Sequence, residues 1–274
     1  MKVWVLGSGS RGNAVVVESG ACRVLIDVGF GPRILQRRMK TLGLDPRSIE
    51  ACIITHEHSD HARGAAKAQK KWNWPLFATT GTVLGTRTPA LGAQPSHLHI
   101  TQFRAGDRLS FSDIDVDTFR TPHDATEPIG LALTARSTGA RAAVVTDLGM
   151  VTESVRRMVK DVDLLVIESN HDEEMLRNGP YPDWLVKRIA SSVGHLSNKD
   201  CADLVSDAMS PRLRTVVLAH ISEENNTPRL AFETMKETVK RTNFRGLLGP
   251  AMQDAAVGPF TVGLSQPKQL SLEL

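Results

Sequence analysis

Short apolar runs, each closed by glycine or by a polar cluster, recur along the chain and predict mixed strands and helices. The β-branched runs at residues 3–6, 14–18 and 23–27, parted by glycine-rich turns, read as strands. Residues 32–42 read as a helix and 51–55 as a buried strand. Residues 60–71 read as a second helix whose late lysines suit the negative end of its dipole. Strand-like runs follow near 76–78, 108–111, 114–120, 129–134 and 142–146, then a helix at 152–160 and an apolar strand at 163–168. Helices near 182–192 and 198–209, a strand at 214–219 and a helix at 228–241 complete the series. No internal repeat or low-complexity tract interrupts it. Strands mixed with helices in both halves point to a layered α/β sandwich.

At 274 residues, 41% hydrophobic and 23% charged, the chain has the balance of a globular protein of one large domain or two small ones. No apolar run approaches the ~20 residues of a membrane span, so no membrane partner is expected. The start reads as a strand and not as a secretory leader. Cys22, Cys52 and Cys201 are far apart and form no CxxC, which fits a reducing cytoplasm. A net charge of +3 permits nucleic-acid binding without requiring it.

Gly7-Ser-Gly9-Ser-Arg-Gly12 matches the dinucleotide fingerprint GxGxxG, with Asp27 near the place of a ribose-binding acid. That motif needs a helix N-terminus for the pyrophosphate. Here Asn13 leads into Ala-Val-Val-Val, which favours a strand, so the segment reads as a strand-to-strand turn.

Histidine carries the chemistry. Residues 53–61 read Ile-Ile-Thr-His56-Glu-His58-Ser-Asp60-His61, an apolar strand delivering four potential ligands within six residues. His56 and His58 are two apart and point the same way from an extended chain, while Asp60 and His61 lie past the turn, where they can face a second ion. Imidazoles with a carboxylate suit Zn²⁺, Mn²⁺ or Fe²⁺. One cluster cannot close a two-metal site, and further candidates follow other strands: Asp27, His123, Asp147 and His220.

In order and spacing this set resembles the metallo-β-lactamase fold, over roughly residues 1–250. The resemblance implies an αββα sandwich with the site on one edge of paired sheets. It implies one divalent ion on His56, His58 and His123, a second on Asp60, His61 and His220, Asp147 bridging them, and Asp27 supporting the site from behind. Asp60 is counted among the catalytic groups as well. Two such ions, zinc or manganese, activate water and stabilise charge on both oxygens of a displacement.

Residues 166–172 with Glu168, residues 180–198 and the stretch around His220 resemble the YycJ/WalJ-like branch of that fold, regarded as metal-dependent nucleases. Gly194-His195-Leu-Ser resembles the histidine loop of tRNA 3′-end-processing ribonucleases, which pairs with an earlier glutamate, here Glu168. Cleavage of a phosphodiester needs a proton for the leaving oxygen, and a histidine held by a carboxylate supplies it near neutral pH. The other reading of His195 is a helix-flanking residue with Ser197 or Asn198 as the cap. Arg188 is expected to meet a phosphate and Tyr181 a base, with Ser197 and Asn198 beside them. His97 and His99 read as surface residues, and His171 adjoins the Glu168 loop. Arg33, Arg37, Arg38, Lys67, Lys70 and Lys71 form either a basic rim or a solvated face.

The expected activity is a DNA exonuclease. An RNA-processing nuclease and a small-molecule hydrolase of the same fold are the alternatives, and a metal-stabilised interaction protein is the non-enzymatic one. The catalytic region is expected over residues 1–257, with a tether from 258. The final residues carry Gln269, Leu270, Leu272 and Leu274 in a pattern that resembles the bacterial sliding-clamp-binding peptide. Alternating apolar anchors in an extended segment suit a groove on a partner.

Overall fold

A computed structural model describes residues 1–85 and 98–263. Among these, fourteen strands form two seven-stranded sheets. The first takes β1 (Lys2–Gly7), β2 (Ala14–Ser19), β3 (Cys22–Ile26), β4 (Ala51–Ile54), β5 (Leu76–Thr79), β6 (Ile100–Phe103) and β14 (Val257–Thr261), in the order β14-β1-β2-β3-β4-β5-β6. The second takes β7 (Arg108–Ser110), β8 (Ile114–Arg120), β9 (Ile129–Ala135), β10 (Arg141–Val145), β11 (Leu164–Glu168), β12 (Thr215–Ala219) and β13 (Leu247–Pro250) in the reverse order, β13 to β7.

Each sheet opens antiparallel and ends parallel: β1-β2-β3 then β3-β4-β5-β6, and β7-β8-β9-β10 then β10-β11-β12-β13. A repeat absent from the sequence is thus present in the topology.

Period-two alternation places one face of each sheet in a shared core. Val3, Val5, Val15, Val17, Val24 and Ile26 of the first sheet meet Ile114, Val116, Leu131, Leu133, Val144 and Val166 of the second. The outer face of the first sheet is covered by α1 (Pro32–Thr41) and α3 (Ala65–Trp72), through Leu35, Met39, Ala65 and Ala68. The outer face of the second is covered by α5 (Glu153–Val159), α8 (Asn198–Asp207) and α9 (Pro228–Val239), through Val155, Leu204, Val205 and Met235. Burying each such Val, Leu, Ile or Met side chain contributes about 1.5–3 kcal/mol. The layers are therefore αββα, as expected.

Three expectations are corrected. The helix expected over 60–71 is two pieces, α2 (Ser59–Ala62) and α3, broken at Arg63-Gly64. Gly64 donates its N–H to Val28 O at 2.8 Å, and a Cβ there would lie 2.0 Å from Phe30 O, so this backbone is held against the β3–α1 loop. Residues 258–261, expected in the tether, belong to β14, which pairs with β1, and Val262 N donates to Met1 O at 2.9 Å. Arg38 does not belong to a basic rim: it is buried, donates to Leu6 O at 2.9 Å and packs over Phe30.

The Gly7–Gly12 segment leads from strand to strand, with Gly9 and Gly12 at φ 145° and 147°. α4 (Thr80–Gly85), α6 (Glu173–Asn178), β6, β13 and β14 were not predicted. His99 is exposed, whereas His97 and the Gln269–Leu274 residues lie outside the described residues. No described helix is long and apolar enough to cross a membrane.

Candidate metal centre

The ends of β3, β4, β8, β10, β11 and β12 converge on one edge of the sandwich. Four groups of side chains there each have donor atoms within 4.8 Å of one another: His56, His58 and His123; Asp60, His61 and His220; His56, His61 and Asp147; and Asp147, Glu168, His195 and His220. All seven expected ligands are thus brought together. Asp147 stands between the two expected sets. Its Oδ1 lies 3.7 Å from Nε2 of both His123 and His220, and its Oδ2 lies 3.0 Å from His61 Nε2.

Backbone shape helps to aim these groups. Asp27, Asp147 and His220 have left-handed φ of 62°, 58° and 51°, immediately after β3, shortly after β10 and immediately after β12. Asp and His tolerate this region better than bulky residues do. His220 N donates to Ser8 Oγ at 2.8 Å, which ties the loop after β1 to the site.

Two buried carboxylates set the imidazoles. Asp27 Oδ2 accepts from His61 Nδ1 at 2.7 Å. It also accepts from Thr55 Oγ1, which in turn takes the His56 Nδ1 proton at 3.1 Å. Glu168 Oε1 accepts from His220 Nδ1 and from His195 Nδ1, each at 2.8 Å, while its Oε2 accepts from the Leu148 and Leu196 amides. His123 donates its Nδ1 proton to Gly194 O at 2.9 Å. At the candidate ligands His56, His61, His123 and His220, each of these bonds fixes one ring nitrogen and leaves the other for a metal.

The residues fit a divalent ion on this ground, and on one more: His56 Nε2 is buried without a hydrogen-bond partner among the described residues. Burial also drives His56 and His123 toward the neutral form that ligation needs. Burial opposes charge on His61 and His220 too, but Asp147 and Asp60 outweigh it and hold both above the ordinary histidine value. The same contest at His195 is won by Glu168, which raises its pKa.

A cleft of about 210 Å³ opens over these groups, lined by Ser10, Asp124, Tyr181 and Arg188 beside His58, His123, His195 and His220. Tyr181 and Arg188 therefore border the cleft over the candidate ligands. Arg188 is paired with Asp124 at 2.5 Å, and Asp124 Oδ1 is 3.3 Å from His123 Nε2. Ser197 caps α8, accepting from Asp200 N at 3.1 Å. Asn198 is buried between Ser169 and Asn226. The capping alternative thus describes Ser197, and neither residue lines the cleft. His171 is buried, and its carbonyl accepts from Asn198 N at 2.8 Å.

Two contributors were missed. Asn13 Nδ2 lies 3.2 Å from Asp60 Oδ2 and 3.0 Å from His61 Nε2, and Thr55 relays Asp27 to His56. Thr55 adjoins the histidine motif and carried a local signal. Asn13 is 47 residues from Asp60 and carried none.

Residues 22–221 match the model of the β-lactamase superfamily domain. The chain is 33% identical to exodeoxyribonuclease YycJ of Bacillus anthracis over 240 residues, covering 88% of this chain and 89% of the relative. It is 34% identical to exodeoxyribonuclease WalJ of Streptococcus pneumoniae over 236 residues, covering 85% and 86%. Among solved structures, Zn²⁺-bound PqqB from Methylobacterium extorquens shares the fold with a TM-score of 0.69 at 16% identity, over 94% of this chain and 100% of that one.

Proposed function

Since the chain belongs to the metallo-β-lactamase superfamily of metal-dependent hydrolases, we propose that it is an exodeoxyribonuclease working with two divalent ions, zinc or manganese. His56, His58 and His123 would hold one, Asp60, His61 and His220 the other, with Asp147 between them. Bound there, such ions polarise a phosphate and activate water at neutral pH. Support for this reading comes from the exodeoxyribonucleases that align with most of the chain and from one feature of the site. The same oxygen of Glu168 binds a candidate ligand, His220, and a cleft-lining histidine, His195, each at 2.8 Å.

Glu168 engages His195 Nδ1, so Nε2 is the atom left to hold a proton over the cleft. The protonated ring gives that proton to the departing oxygen, and the carboxylate stabilises the ring while it is charged. Arg188 is positioned to exchange Asp124 for a phosphate oxygen and so orient the strand. Tyr181 offers a ring to a base at the cleft wall.

The test compares metal-dependent cleavage of end-labelled single-stranded DNA, single-stranded RNA and a chromogenic phosphodiester. Stepwise shortening of DNA supports the proposal. Preference for RNA moves it to RNA processing, and cleavage of neither polymer overturns it. The proposal extends to recruitment: Gln269, Leu270, Leu272 and Leu274 would bind a bacterial sliding clamp and bring the enzyme to sites of replication or repair. A chain ending at Lys268 should then lose clamp binding in calorimetry and cleave free oligonucleotides as before.

A further inference from the structure

A helix that borders the cleft carries an aromatic ring for which the catalytic reading has no use. α7 (Asp183–Ile189) contains no fully buried residue, and Trp184 on it is 65% exposed. The other three tryptophans lie inside or against the protein: Trp4 and Trp74 are buried and Trp72 stacks on Trp74. Arg188 follows Trp184 by one helical turn, and residues four apart are neighbours on a helix surface. Leu185, Arg188 and Ile189 of this helix line the cleft with Tyr181, whereas Trp184, one turn before Arg188, is turned to solvent beside that face.

The helix is fixed to the catalytic loop. His195 N donates to Ile189 O at 2.9 Å, and a Cβ on Gly194 would lie 2.1 Å from that same oxygen. The rim continues in apolar residues: Val193 is 43% exposed, and Met150 is 46% exposed beside Gly149, whose own Cβ would touch Gly194 N. A single exposed apolar side chain is ordinary, but an indole on a tethered helix, one turn from a guanidinium that lines the cleft, matches the two halves of a nucleotide.

We infer that Trp184 is a stacking platform for an unpaired nucleobase, one or more positions from the phosphate held in the cleft. This rests on the phosphodiesterase reading and adds a substrate preference to it. Bases in a duplex keep both faces inside the stack, so the platform selects single strands or frayed ends. Arg188 meets the backbone and Trp184 the base.

The experiment is a cycle between protein and substrate on the full chain. Michaelis parameters are measured for wild type, Trp184→Ala and Trp184→Phe with a single-stranded DNA oligonucleotide. They are measured again with oligonucleotides carrying one abasic position, moved stepwise from the end. Trp184→Ala should raise KM about ten-fold, the order of one stacked base, with the effect on KM rather than kcat. Trp184→Phe should recover most of it. One abasic position should raise the wild-type KM by a similar factor and add nothing in Trp184→Ala.

Additive effects of the two deletions, or an unchanged KM in Trp184→Ala, overturn the inference. Binding of a cleavage-resistant, phosphorothioate-linked oligonucleotide to the full chain gives a readout independent of turnover. Because Trp184 is the strongly exposed tryptophan, binding of single-stranded DNA should quench fluorescence in wild type and leave Trp184→Phe unquenched. Quenching without cleavage would sink the nuclease reading and keep the platform; cleavage without quenching would do the reverse.

Discussion

Asp27 and Glu168 perform matching tasks from opposite sheets: Asp27 holds His61 directly and His56 through Thr55, and Glu168 holds His220 and His195 directly. They differ in what they hold. Asp27 reaches only candidate ligands, whereas Glu168 reaches a ligand and the candidate acid. His195→Ala should therefore keep its metal by elemental analysis and slow DNA cleavage by roughly 10²–10⁴-fold. An aryl phosphodiester, whose leaving group needs no proton, should be slowed far less. Glu168→Gln should show both effects, with metal affinity down about 10–100-fold, as expected for loss of a ligand's supporting partner.

At Asp147 the left-handed φ of 58° matters to the choice of variant. Asn tolerates that backbone and Ala does not. Both Asp147→Asn and Asp147→Ala should lose metal and nearly all activity, but the alanine protein should also be less stable by about 1 kcal/mol in urea denaturation. Full occupancy and turnover in either variant would remove Asp147 from the centre.

Among the elements, the loop from Val193 to Leu196 carries more contacts of consequence than its length suggests. Gly194 O receives the His123 proton, His195 N binds the end of α7, and Leu196 N binds Glu168. Gly194→Ala places a methyl 2.1 Å from Ile189 O, so the loop must shift. We expect reduced metal content and a loss of activity comparable with His195→Ala, although no ligand is altered.

A second element-scale prediction concerns β1, β2 and β3. Burial pushes the Glu18 carboxyl up, but hydrogen bonds from Lys2 and Arg23 outweigh it and hold the folded pKa below the ordinary value. A lowered folded pKa contributes stability above the unfolded pKa and loses it as pH falls through the folded one. Glu18→Gln should therefore be destabilised at neutral pH, with the gap to wild type closing as the pH falls below the ordinary glutamate range, read from urea midpoints.

The site was legible at this scale wherever a strand ended in a ligand: His56 and His58 after β4, His123 after β8, His220 after β12. A strand reads from local alternation and its polar stop from the next residue. The break at Gly64, the late strands β13 and β14, and the reach of Asn13 to Asp60 depend on contacts between distant segments, which no local pattern encodes.

For the whole molecule, the distribution of ligands over the two sheets has an energetic meaning. His56 and His58 follow a strand of the first sheet and His123 one of the second. Asp60 and His61 follow the first and His220 the second. Either ion would therefore span the seam between the sheets. Binding restricted to the folded state adds RT ln(1 + [L]/Kd), about 4 kcal/mol at a thousand-fold excess over Kd. The melting temperature should rise with free ion and fall on chelation. His58→Ala should shrink that response and His195→Ala should leave it intact, as read by scanning calorimetry. A chelator is then more than an inhibitor of cleavage. It loosens the clasp at one end of a sandwich whose other contacts are largely apolar, so the catalytic edge should be the first place where a protease gains entry to the chelated protein.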